Sequence, residues 1–135
     1  MYWPGAFSSW YEAHNSFGVT ETGTKWGLSE GEVGGADGFE TYVLLANPSP
    51  TTAASIRMTF LRTDGTTVVK TFTVGPTSRF NVHVNSMVPE LANEPFGTII
   101  EVTNGVAIAV ERAFYWTRGG LYWTGGTNAT AIQLP

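Results

Sequence analysis

Across residues 54–74 apolar and polar residues alternate on both sides of an Asp-Gly pair, a pattern that fits a β-hairpin and little else. Ile56, Met58 and Phe60 fall on one side of the first segment, Arg57 and Thr59 on the other. Successive side chains of a strand point to opposite faces, so one face of this hairpin is built for burial. Asp64-Gly65 supplies residues that tolerate positive φ at the turn. Residues 67–74 return as the second strand, and Gly75-Pro76 ends it.

The same signature recurs about every ten residues. Residues 39–47 read as a strand stopped by Pro48 and Pro50. Residues 79–84 put Phe80, Val82 and Val84 on one face. Residues 97–103 run into an Asn104-Gly105 turn, residues 106–116 form the longest strand, and residues 25–29 form a weaker one. One helical turn is expected over residues 88–93 and no sustained helical period elsewhere. The 135 residues are 42% hydrophobic, enough for one core, and contain 0 Cys, so disulfides and thiolate metal sites are excluded. The expected fold is all-β: an antiparallel, immunoglobulin-like β-sandwich of about 7–9 strands.

Charge narrows the partners. The 7 basic and 11 acidic residues give a net charge of −4, without the basic stripe a nucleic-acid partner requires. No apolar run approaches the ~18 residues of a membrane span, so no membrane insertion is expected. No basic-then-apolar leader opens the sequence.

The two ends of the chain are related. Tyr2-Trp3 recurs as Tyr115-Trp116, 113 residues on; Trp10 recurs as Trp123 and Asn15 as Asn128 in the same gapless frame, with Val19 facing Ile132. With 5 Trp in the whole chain, two Trp–Trp matches in one frame point to a tandem repeat. Residues 1–20 then read as the closing strands of a preceding repeat, and residues 21–135 as the β-sandwich module itself.

Several runs, in order, carry a resemblance: Trp26-Gly27-Leu28-Ser29-Glu30-Gly31, Leu44-Leu45-Ala46-Asn47-Pro48, Thr59-Phe60-Leu61-Arg62-Thr63-Asp64-Gly65-Thr66, Ser78-Arg79-Phe80-Asn81-Val82-His83-Val84, Val110-Glu111-Arg112-Ala113-Phe114-Tyr115-Trp116 and Trp123-Thr124-Gly125-Gly126-Thr127. They resemble a tandem-repeat β domain of large secreted and cell-surface bacterial proteins. The resemblance spans nearly the whole chain; Trp26-Gly27-Leu28-Ser29 departs from the usual Ala before Glu. It implies a secreted or surface-exposed β module and no particular reaction.

Candidate sites follow from faces and spacing. Arg112 shares a face with Ile108, Val110 and Phe114, and an Arg on an apolar face needs a partner. Glu30 is the candidate for a structural ion pair; a ligand-gripping Arg is the other reading. Glu30, Glu32, Asp37 and Glu40 fall within eleven residues of a Gly-rich stretch, a candidate calcium loop, though without regular Asp spacing. The alternative is a mobile polar loop. The two histidines do not make a catalytic set: His14 is replaced by Thr127 in its own repeat, and His83 reads as an outward surface residue. No G-x-S-x-G turn, zinc-ligand spacing or facing carboxylate pair is present. The aromatics Tyr2, Trp3, Trp10, Tyr11, Tyr115, Trp116, Tyr122 and Trp123 cluster near the two ends. They serve either packing and self-association or stacking on sugars.

The expectation is therefore a non-catalytic structural or adhesive module, without cofactor. Its partners would be its own copies or neighbouring repeats, met head to tail through the terminal strands. The alternative is a carbohydrate-binding module that grips polysaccharide through Trp and Tyr.

Overall fold

In the computed structural model, strand positions are described for residues 2–4 and 10–135, and side chains from Ala13 onward. Among the described residues there are eleven strands: β1 Tyr2–Pro4, β2 Trp10–Ala13, β3 Lys25–Glu32, β4 Glu40–Asn47, β5 Ala54–Arg62, β6 Thr67–Val74, β7 Ser78–His83, β8 Pro95–Val102, β9 Ala109–Arg118, β10 Leu121–Thr130 and β11 Ile132–Gln133. Nine of them form an antiparallel sandwich, a four-stranded sheet ordered β10-β9-β4-β7 over a five-stranded sheet ordered β11-β3-β8-β5-β6. β1 and β2 form a separate hairpin.

The core is the period-two pattern made solid. Ile56, Met58 and Phe60 of β5 are buried, as are Thr98, Ile100 and Val102 of β8 and Thr41, Val43 and Leu45 of β4. Arg57 and Thr59 face away, and the β5–β6 register runs from Ala54↔Val74 to Leu61↔Thr67. Only β5–β6 and β9–β10 are hairpins within a sandwich sheet; the other connections cross between sheets. Each crossing carries apolar strands to opposite sides of one core.

Several boundaries differ from the sequence pattern. The 79–84 strand ends at His83, and Val84 opens a helical turn, α1, Val84–Met87, followed by a 3-10 turn at Pro89–Leu91. Together they add Val84, Val88 and Leu91 to the core, which explains an apolar spacing that continued the strand pattern. The longest strands are β9 and β10, of ten residues each; residues 106–108 contribute only a bridge from Ile108 to Gly23. β3 extends to Glu32 by way of a register shift between Leu28 and Gly31. The 33–39 loop is not a loose polar segment. Gly34 bridges Phe39, Gly35 N–H donates to Asn93 Oδ1 at 2.9 Å, and Thr117 N–H donates to the Asp37 carbonyl at 2.6 Å.

Candidate functional sites

The first site lies between the sheets. Alternation along β9 sends Val110, Arg112 and Phe114 inward, whereas β3 buries Trp26 and Leu28 and, at its register shift, leaves Glu30 mostly exposed but within reach of Arg112. Arg112 Nη1 donates to Glu30 Oε2 at 2.8 Å. The pair is lopsided: the Arg112 side chain is 5% exposed and that of Glu30 67%. The Phe114 ring lies beneath the guanidinium, 5.2 Å from Cζ, a cation–π contact. A cavity of about 80 Å³ opens beside them, lined by Ser29, Thr130, Leu28 and Ile132 among others.

The second site sits on the outer face of the four-stranded sheet and centres on Glu40. The Tyr42 hydroxyl donates to Glu40 Oε2 at 2.9 Å, and the Tyr122 hydroxyl donates to Oε1. His83 Nε2 stands 3.5 Å from the same carboxylate, and its ring stacks on Tyr42 at 4.4 Å. Trp123 stacks on Tyr115 at 4.5 Å and Tyr122 on Trp123 at 5.2 Å. Burial, then the Glu40 hydrogen bond, push the Tyr42 phenol well above its ordinary range. The hydrogen bond to Glu40, then burial, raise that of Tyr122. Both shifts favour the neutral, donating phenol against a carboxylate.

His83 lies on the outer face, as its alternation suggested, with its side chain 31% exposed and its ring stacked on that of Tyr42. Tyr42 and its link to Glu40 were missed. Their spacing of two on one strand was visible, but the partners come from β7 and β10, which no local pattern identifies.

The four loop carboxylates do not converge. Glu30 meets Arg112, Glu40 meets tyrosines, Glu32 is half-buried on β3 and Asp37 is exposed at the loop. Among the described residues no group of three or more His, Asp or Glu could hold a metal ion.

Of the terminal aromatics, Tyr115 is buried, Trp116 and Trp123 are half-buried and Tyr122 is 59% exposed. Trp116 lies over Gly125, where any Cβ would overlap its ring. The side chains of Tyr2, Trp3, Trp10 and Tyr11 lie outside the described residues. Their backbone is described. β1 pairs with β2 as Tyr2↔Ala13 and Trp3↔Glu12, while β9 pairs with β10 as Tyr115↔Gly126 and Trp116↔Gly125. Shifted by 113 residues, the two registers coincide, and both are irregular where the turn is approached. β2 lies alongside β10 of its own chain. The following segment continues across the outer face: His14 packs on Tyr115 at 5.7 Å, and Asn128 Nδ2 donates to Ser16 Oγ.

No protein-family model matches the chain, and no curated protein does. Among solved structures it is similar to Thermotoga maritima 1070, with a TM-score of 0.70 and 15% identity over 85% of this chain and 97% of that one. It is also similar to the Anabaena sensory rhodopsin transducer, with a TM-score of 0.57 and 21% identity over 70% and 90%. The chain shares their fold. That fold is an antiparallel β-sandwich, and at such identities the likeness extends no further.

Proposed function

We propose that the chain is a non-catalytic structural module of a secreted or cell-surface bacterial protein, one that joins copies of itself or neighbouring repeats end to end. The observation that carries this reading is the shared register of β1–β2 and β9–β10. A segment that repeats both sequence and pairing at the far end of the module is a second copy of its closing hairpin. In an array, that hairpin belongs to the preceding module and meets β10 of the next. A contact that uses different surfaces on the two partners is head to tail; it builds fibres when the rotation does not close and rings when it does. Arg112 is paired with Glu30, and Glu40 accepts from Tyr42 and Tyr122, which supports a non-catalytic role.

The test is light scattering on the full chain and on a chain lacking residues 1–20. Concentration-dependent association of the full chain that disappears on truncation supports the reading. A full chain that stays monomeric at high concentration removes it.

The polysaccharide reading retains one supporting observation, the exposed Tyr122 ring stacked on Trp123. Saturable changes in Trp fluorescence with soluble glycans, lost in Tyr122→Ala, would favour it over self-association.

A further inference from the structure

We infer that the cavity beside Arg112 is a binding site for a small carboxylate of about the size of formate or acetate. A guanidinium carries five N–H donors in a planar fork. Among the described residues Arg112 makes one hydrogen bond, through Nη1 to Glu30. Phe114 covers a face of the group, so the unused donors lie along its edge. Arg112 and Glu30 both line the 80 Å³ cavity, with Ser29 and Thr130 as further polar wall and Leu28 and Ile132 as apolar wall.

Glu30 is a poor permanent partner. Its carboxylate is mostly in water while the cation is not, so solvent competes for the anion and leaves the buried charge weakly compensated. A planar carboxylate seated in the cavity accepts two parallel N–H bonds, the strongest arrangement open to this group. The exposed Glu30 side chain can then turn outward, which keeps one negative charge on one positive charge. The small cavity favours a short acid over a sugar or a long-chain acid. The site is separate from the aromatic cluster and does not depend on self-association.

The test follows the Arg112 Nε–H signal by NMR during titration with formate and acetate, with chloride at matched ionic strength and butyrate as the oversized control. A saturable shift with formate and acetate, absent with chloride and butyrate, is expected. Glu30→Gln should tighten the apparent Kd about tenfold, equivalent to about 1.4 kcal/mol, by removing the internal competitor. Arg112→Lys keeps the charge but loses the fork, and should abolish the rise in thermal midpoint that saturating formate is expected to give the wild type. Because Arg112→Lys could unfold the chain, the decisive comparison is the wild type against Glu30→Gln. No saturable shift in either, or an equal response to chloride, overturns the proposal and leaves a cavity filled by water.

Discussion

At the residue scale, two buried polar groups hold the sandwich together in different ways. Asn47 is 2% exposed. Its Nδ2 faces the carbonyls of Thr52, Val74 and Gly75 at 2.9, 3.1 and 3.0 Å, and its Oδ1 accepts from Ser49 N–H at 3.0 Å. One side chain thus ties the end of β4 to the end of β6 in the opposite sheet. Asn47→Ala would leave several buried groups unpaired and should cost about 3 kcal/mol, read as a lower urea midpoint. Arg112 behaves differently, because its partner is exposed. Glu30→Ala strands a buried cation, whereas Arg112→Met replaces it with an apolar side chain and releases Glu30 to water. Glu30→Ala should therefore be the more destabilising of the two in the same urea assay. Equal losses would mean that the pair acts as a unit.

At the element scale, the β9–β10 hairpin depends on glycine opposite its aromatic rings. Gly125 faces Trp116 and Gly126 faces Tyr115, and a Cβ at Gly126 would come within 2.7 Å of the tyrosine ring. The rings lie over the glycines, covering backbone that has no side chain of its own. Gly125→Ala should cost about 1–3 kcal/mol through overpacking and shift Trp emission as Trp116 moves. Gly105, in an open turn at φ 75°, offers a control. Gly105→Ala should cost about 1 kcal/mol from backbone strain alone, with emission unchanged. The same hairpin, with β4 and β7, sets an alkaline limit. The phenols of Tyr42 and Tyr122 are raised above the ordinary tyrosine value of 10.0. A group that holds its proton more tightly when folded stabilises fully below its unfolded pKa and loses that contribution as pH rises through its folded pKa. Stability should therefore fall as pH climbs above about 10. Two tyrosines should ionise late in an absorbance titration of the folded chain, and Tyr42→Phe should remove one of them.

At the scale of the whole molecule, the N-terminal hairpin forms a sheet of its own alongside β10. Among the described residues the core is drawn from residue 26 onward, with Val19 packed at its margin, and β1–β2 forms no ladder with either large sheet. Deleting residues 1–12 should leave the thermal midpoint nearly unchanged, while a deletion through Val19 should lower it measurably by calorimetry. A large loss from the shorter deletion would mean that the hairpin is part of the fold rather than a second copy of its closing element.

The strands of the core hairpin and the inward face of Arg112 were legible in the sequence, because alternation and turn chemistry are properties of neighbouring residues. Tertiary structure decided what those elements meet. The Glu40 cluster draws on β4, β7 and β10, which are adjacent only because the chain crosses repeatedly between sheets. Asn47 read as a strand end and became a clamp once β6 came to lie opposite. His83 points outward as alternation requires, and the Tyr42 ring and Glu40 carboxylate that it meets come from β4. Alternation assigns a side chain to a face, but whether that face is wet depends on residues far away in sequence, whose positions are set by the packing of the two sheets on one core.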